Sequence, residues 1–127
     1  MELSKTVNIL IVEDEGDICL ILNLMLKKND VEIEHVNTLA KAASFLKQQT
    51  PQIIIMDNQL PDGLGIDYIK KIKTDYPALK IIMITGNVAD SDKEKALQNG
   101  ADIFLAKPFT KEQIQTALTT LSTNAFA

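Results

Sequence analysis

The sequence predicts an α/β fold in which a central sheet of five parallel strands carries helices on both faces. Short apolar runs rich in β-branched residues recur along the 127-residue chain, and stretches with helical periodicity separate them. Parallel strands require such crossovers, so this alternation favours a three-layer arrangement. The predicted strands are Val7–Val12, Val31–Val36, Ile53–Met56 with Asp57 at its end, Ile81–Ile84 and Ile103–Ala106.

The polarity of these strands predicts their order. The first, third and fourth are almost entirely apolar and must be interior, because such strands are buried on both faces. The second strand alternates with Glu32 and Glu34 and the fifth is short, so both belong at the sheet edges. The resulting order, 2-1-3-4-5, reverses between strands one and three, and a ligand crevice is expected at their carboxyl ends.

Capping and breaking residues delimit five helices between and after these strands. Pro51, Pro77 and Gly100 end the second, third and fourth helices, and a Gly-rich loop precedes the third. The fourth has few apolar residues, which predicts a weakly anchored, mobile helix. On the first helix we favour partial burial of Leu20 and Leu24 over a docking patch. The predicted helices run from Asp17 to Asn29-Asp30, Thr38 to about Gln49, Gly65 to Asp75, Asp90 to Asn99, and Thr110 to Leu121.

The composition describes a single globular domain and excludes several classes of protein. Hydrophobic residues make up 46% and charged residues 24%, and the net charge of -4 gives no basic footprint for nucleic acid. Cys19 is the only cysteine, so an internal disulfide and a zinc cluster are excluded and a reducing, cytoplasmic location is expected. No membrane segment or signal peptide is predicted. His35, the only histidine, is interpreted as an ordinary edge-strand residue.

Polar residues at the strand ends form one candidate site. Strand ends bring together Glu13, Asp14, Asp57, Thr85 and Lys107. Three carboxylates this close repel one another unless a cation joins them, and oxygen-only ligation suits Mg²⁺. An ammonium and a hydroxyl opposite the metal can hold phosphoryl oxygens, which makes Asp57 a candidate nucleophile that forms an acyl phosphate. On its own, Asp57 could equally cap the turn into Pro61-Asp62-Gly63.

Motifs at these positions resemble those of bacterial two-component response-regulator receiver domains of the CheY-like type. The resemblance runs from Val7 to Leu121 and implies a flavodoxin-like fold and a single receiver domain over 1–127, with a core at about 7–121. The matching motifs are Ile11-Val12-Glu13-Asp14-Glu15, Met56-Asp57 with Pro61 and Gly65, Met83-Ile84-Thr85-Gly86, Gly100-Ala101-Asp102 and Lys107-Pro108-Phe109.

The resemblance implies a role for each residue of the site. Asp57 would accept a phosphoryl group from a phosphohistidine on a sensor histidine kinase or a phosphotransfer protein. Thr85 and Lys107 would contact the phosphoryl oxygens. A cis bond at Lys107-Pro108 is implied, although a trans proline that begins the last helix fits the sequence as well. The Mg²⁺ ligands would be Glu13, Asp14, Asp57 and the backbone carbonyl of Gln59.

The resemblance also implies a switch. Movement of Thr85 would be coupled to Phe104, a position where most members carry Tyr, and would change partner binding or homodimerisation through the face formed by helix 4, strand 5 and helix 5. Such a protein catalyses only its own phosphorylation and dephosphorylation. Two alternatives remain: the N-terminal receiver of a larger regulator, for example a DNA-binding one, and an Asp-nucleophile, Mg²⁺-dependent phosphohydrolase.

Overall fold

The computed structural model describes residues 7–27, 30–86 and 90–126, and at 90, 91 and 122–126 it describes the backbone only. The strands of the main sheet alternate with helices along the chain as predicted, and two short strands follow the third of them. The elements are β1 (Val7–Val12), α1 (Gly16–Leu26), β2 (Val31–Val36), α2 (Leu39–Gln48), β3 (Ile53–Asp57), β4 (Gln59–Leu60), β5 (Gly63–Leu64), α3 (Gly65–Asp75), β6 (Lys80–Thr85), α4 (Asp90–Asn99), β7 (Ile103–Ala106) and α5 (Lys111–Phe126).

The main sheet has the order β2-β1-β3-β6-β7, and all of its pairings are parallel. This is the predicted order, with β6 and β7 as the fourth and fifth strands. Register brings the strand ends to one level: Val12 pairs with Met56, Asp57 with Ile84, and Thr85 with Ala106. The residues that follow these strands therefore lie at one edge of the sheet.

Side chains of β3 alternate between two cores because successive residues of a strand point to opposite faces. Ile54 and Met56 pack in the core beneath α2 and α3, whereas Ile53 and Ile55 pack in the core beneath α1 and α5. All four are fully buried. Each contributes about 1.5–3 kcal/mol relative to an exposed side chain. The strand that ends in Asp57 is therefore firmly anchored.

The connection between β3 and α3 is more ordered than the predicted Gly-rich loop. It forms a small antiparallel hairpin in which Gln59 pairs with Leu64 and Leu60 with Gly63. Gly63 adopts a φ of 151°, which favours glycine. Leu60 is buried, so the hairpin is fixed to the core.

The periodicity of α1 predicts an inward stripe of Ile18, Ile21, Leu22, Met25 and Leu26, and the structure confirms all of it except Ile21, which is 40% exposed. Cys19, Leu22 and Leu26 are buried, whereas Leu20 is 61% exposed and Leu24 67% exposed. The expected partial burial of these two leucines is therefore wrong. Because several apolar residues are adjacent in α1, packing against the sheet and α5 decides which of them face inward.

Helix α5 continues to Phe126, beyond its predicted end at Leu121. No Gly or Pro occurs between 122 and 126 to stop it. Thr38 caps α2 as predicted: its Oγ1 accepts a hydrogen bond from Lys41 N at 3.0 Å. Among the described helices, none has the length and apolar content that crossing a membrane requires.

Candidate functional site

A cleft of about 540 Å³ opens at the carboxyl ends of β1, β3 and β6. It brings together most of the residues that the sequence predicts for the site. Glu13 is fully buried and does not line the cleft. The lining residues are Asp14, Glu15, Asp57, Gln59, Thr85, Gly86 and Lys107.

Three carboxylates cluster at one side of the cleft. Glu13, Asp14 and Asp57 each offer an oxygen within 4.8 Å of the others. Burial raises the pKa of Glu13, and repulsion by Asp57 adds to this, against the opposing hydrogen bond from Glu15 N and the attraction of Lys107. Burial likewise raises the pKa of Asp57, although Lys107 opposes the shift. Keeping both carboxylates ionised in this buried cluster is therefore energetically unfavourable.

Lys107 supplies the positive charge of the site. Its Nζ lies 3.1 Å from Glu13 Oε1, 3.2 Å from Glu15 Oε1 and 3.4 Å from Asp57 Oδ1. Burial alone would lower the pKa of Lys107, but attraction to Asp57, Glu13 and Glu15 outweighs it and the pKa is raised. The ammonium therefore stays charged at neutral pH. Glu15 is a partner of Lys107 that sequence reasoning missed as a site residue.

The donor set fits a hard divalent cation. Within the described residues, the ammonium of Lys107 faces the carboxylates of Glu13, Asp14, Glu15 and Asp57. Glu13 Oε1 is buried and has no hydrogen-bond partner in the described part of the chain, although Lys107 Nζ lies 3.1 Å away. Mg²⁺ prefers such oxygen ligands and completes its octahedral shell with water. The residues present therefore suit magnesium electrostatically and chemically.

Asn58 fixes Asp57 relative to α3. The backbone N of Asn58 donates to Asp57 Oδ1 at 2.9 Å. Its side-chain Oδ1 accepts from Ile66 N at 2.9 Å, and its carbonyl accepts from Gly65 N at 2.7 Å. These bonds satisfy two amides at the start of α3, which has no local side-chain cap. Asn58 is thus a supporting residue that the sequence pattern did not reveal.

Two further side chains hold the carbonyl of Glu13. His35 Nε2 donates to it at 2.8 Å from edge strand β2, and Cys19 Sγ lies 3.5 Å from the same oxygen. Burial, followed by the charges of Glu13 and Asp14, raises the pKa of Cys19 to about 11. His35 lies on an edge strand as predicted, and its contact with the acidic turn is additional.

The opposite side of the cleft is formed by β6 and β7. Thr85 is buried at the end of β6, and its carbonyl accepts from Lys107 N at 2.9 Å. Phe104 is half-buried and packs against the core beneath α2 and α3. The Lys107-Pro108 bond is cis, as the resemblance implies.

Comparison with known proteins identifies the family. The sequence matches the family described as the response regulator receiver domain over residues 9–119. This chain is a response-regulator receiver domain. Receiver domains are regulatory phosphoacceptors of two-component systems that bind Mg²⁺ at an acidic pocket, and this receiver has the corresponding cluster of Glu13, Asp14 and Asp57.

Relatives and solved structures agree with this assignment. The receiver is 35% identical over 111 residues to the KDP operon transcriptional regulatory protein KdpE of Escherichia coli, covering 87% of this chain and 49% of KdpE. It thus spans about half the length of the curated relatives it matches.

Solved structures of receiver domains share its fold. The solution structure of the beryllofluoride-activated NtrC4 receiver domain dimer is 30% identical, with a TM-score of 0.88 and coverage of 93% of this chain and 98% of that one. The signal receiver domain of a signal transduction histidine kinase from Syntrophus aciditrophicus is 26% identical, with a TM-score of 0.85 and coverage of 95% and 93%. Receivers of this fold therefore occur in more than one kind of signalling protein.

Proposed function

We propose that this receiver accepts a phosphoryl group on Asp57 from the phosphohistidine of a sensor histidine kinase or phosphotransfer protein. The supporting observation is the surroundings of Asp57. Its carboxylate lies at the end of a buried strand, within the carboxylate cluster and 3.4 Å from Lys107 Nζ. A carboxylate held in this way is a poised nucleophile beside a charge that can neutralise the incoming phosphoryl group.

The reaction is a single displacement at phosphorus. A carboxylate oxygen of Asp57 forms a bond to phosphorus while the phosphorus–nitrogen bond of the donor breaks. The bonding pair leaves with the imidazole, which departs as the neutral ring when its other nitrogen is protonated and otherwise takes a proton from solvent. Lys107 and Thr85 contact the phosphoryl oxygens. Lys107 can exchange a carboxylate contact for a phosphoryl oxygen without leaving the cleft, because three carboxylates already surround it.

Glu13, Asp14, Asp57 and the backbone carbonyl of Gln59 would hold Mg²⁺. When bound, the ion neutralises carboxylate charge and orients the phosphoryl oxygens. Glu13 does not line the cleft, so its contribution is through water or through its charge. Asp14 is exposed and lines the cleft, which suits a direct ligand.

Phosphorylation would change the surface formed by α4, β7 and α5 through Thr85 and Phe104. The output is binding of a downstream protein or a second copy, either by this domain alone or as the N-terminal receiver of a larger regulator. The activated NtrC4 receiver, a dimer, supports this kind of output. Phe104 offers no hydroxyl, so its contribution to the switch is packing. The chain would catalyse only its own phosphorylation and dephosphorylation.

Intact-mass spectrometry after incubation with acetyl phosphate and Mg²⁺ tests the phosphoacceptor. We expect one phosphoryl group on the parent protein and none on Asp57→Asn. Lys107→Ala should be slower by about a hundredfold, as for loss of one charge-stabilising donor. Asp30→Asn, which removes an exposed carboxylate before β2, is the matched control and should react as the parent does.

An unmodified parent protein, or equal labelling of Asp57→Asn, would refute the proposal. Repeated turnover of a phosphate ester would instead favour the phosphohydrolase. For the output, size-exclusion chromatography with and without beryllofluoride and Mg²⁺ measures self-association, and pull-down with candidate output proteins measures docking. Identical behaviour in both states would contradict the switch.

A further inference from the structure

The tip of the β4–β5 hairpin is bound to the start of α2. Asp62, in the turn of the hairpin, accepts hydrogen bonds from two successive backbone amides of α2. Leu39 N donates to Oδ1 and Ala40 N donates to Oδ2, both at 2.9 Å. More than twenty residues separate Asp62 from these amides. A single carboxylate thus joins two segments that are far apart in the sequence.

These contacts complete the cap of α2. The first amides of a helix have no partner within the helix. Thr38 Oγ1 accepts from Lys41 N, which leaves Leu39 N and Ala40 N for Asp62. The partial positive charge of the helix start favours a carboxylate at this position. The two backbone bonds lower the pKa of Asp62, so it is ionised at neutral pH.

The same contacts fix the hairpin that carries Gln59. At its base, Asn58 binds both Asp57 and the start of α3. At its tip, Gly63 approaches α2 so closely that a Cβ there would lie 3.1 Å from Leu39 Cδ1. The hairpin strands have only two residues each, and such short hairpins are marginal unless other contacts hold them. Gln59 therefore lies between the contacts of Asn58 on one side and, on the other, buried Leu60 and the tip that Asp62 holds.

We propose that Asp62 is a positioning residue for the magnesium site, because its clamp on α2 holds the hairpin that brings Gln59 to the cleft beside Asp57. The inference rests on the proposed function, since it assumes that the Gln59 carbonyl is a metal ligand. Asp62 itself is not among the residues that line the cleft. Without the clamp the hairpin tip is released from α2. Part of the binding free energy of Mg²⁺ would then be used to order Gln59, and the affinity for Mg²⁺ would fall.

A magnesium titration of the full chain followed by amide NMR tests the clamp without relying on activity. Asp62→Ala should raise the Kd for Mg²⁺ about tenfold, the lower end of the effect of outer-shell partners. Asp62→Asn keeps one acceptor oxygen and should give an intermediate Kd. Asp30→Asn removes the same charge far from the site and should match the parent. The Leu39 and Ala40 amides should exchange faster with solvent in Asp62→Ala.

A second measurement separates positioning from general damage. Phosphorylation of Asp57 by acetyl phosphate in the Asp62→Ala protein should return to within about twofold of the parent rate at saturating Mg²⁺, since only metal affinity is impaired. A purely structural loss would lower the rate at every magnesium concentration and would overturn the inference.

Three other results would also overturn it. They are unchanged exchange at Leu39 and Ala40, a parental Kd in Asp62→Ala, and, if that variant does not fold, a parental Kd in Asp62→Asn. Failure of the proposed function looks different, because the parent protein itself would then bind no magnesium or would remain unlabelled by acetyl phosphate at saturating Mg²⁺.

Discussion

Replacing Gly65 by alanine tests how closely α3 must approach Asp57. Gly65 is the first residue of α3, and its N donates to Asn58 O at 2.7 Å. A Cβ at this position would lie 2.5 Å from the carbonyl oxygen of Asp57, 2.9 Å from Met56 Cγ and 3.0 Å from Met56 Sδ. The Met56 side chain could shift, but the Asp57 carbonyl belongs to a central strand of the sheet.

The magnitude follows from this overlap. Comfortable contacts between such atoms are about 3.5 Å, so α3 or β3 must move by about 1 Å. Overpacking of this kind costs about 1–3 kcal/mol. Alanine gains about 0.5–1 kcal/mol over glycine in a helix. We therefore expect Gly65→Ala to lower the free energy of unfolding by about 1–2 kcal/mol.

Gly16→Ala is the matched control. Gly16 is the first residue of α1. A Cβ added there would have no described atom within 4 Å apart from Gly16 itself, its two chain neighbours and the nearby backbone of α1. Urea unfolding followed by circular dichroism should give Gly65→Ala a midpoint about 1 M below that of Gly16→Ala. Equal midpoints, or a Gly65→Ala protein more stable than the parent, would refute the reasoning.

Three further predictions concern the surroundings of the cleft. Asn58→Ala leaves the Ile66 amide at the start of α3 without its acceptor and should lower the free energy of unfolding in urea by about 1–3 kcal/mol. Asn23→Ala, at an exposed position, is the control, and an equal loss of stability in both variants would contradict the capping role of Asn58. Since the folded-state pKa values of Glu13 and Asp57 are raised, their contribution to stability is greatest below the unfolded pKa of about 4 and is lost as pH rises through the folded values. Without magnesium, Asp57→Asn should therefore have a higher urea midpoint than the parent at pH 7.5, with the difference shrinking toward pH 4; a lower midpoint at pH 7.5 would contradict this. Cys19, with a pKa of about 11, should react with iodoacetamide at pH 8 about 200-fold more slowly than an ordinary thiol of pKa about 8.5, and reaction at the rate of the urea-unfolded chain would exclude its burial.

The sheet and the members of the site could be predicted because both depend on local patterns. Continuous apolar runs specify buried strands, and their carboxyl ends must meet at one edge of a parallel sheet. The strand-end pattern predicts that Asp14, Asp57, Thr85 and Lys107 lie together, and all four line the cleft.

The supporting contacts could not be predicted because they depend on three-dimensional packing. Asp62 and α2, like His35 and the Glu13 carbonyl, are distant in sequence, and no periodicity marks a side chain that binds a remote backbone group. For a related reason, the periodicity of α1 predicts burial of Ile21 rather than Cys19. Both residues are apolar, and only packing against the sheet selects Cys19 for the core.

Reductive trapping of the acyl phosphate tests the central claim most directly. Borohydride converts an aspartyl phosphate to homoserine, and peptide mass spectrometry then locates the modified residue. After treatment with acetyl phosphate and Mg²⁺, homoserine should appear at position 57 and nowhere else in the chain. Homoserine at Asp14, or a stable phosphate ester on Thr85 with Asp57 unmodified, would contradict the account.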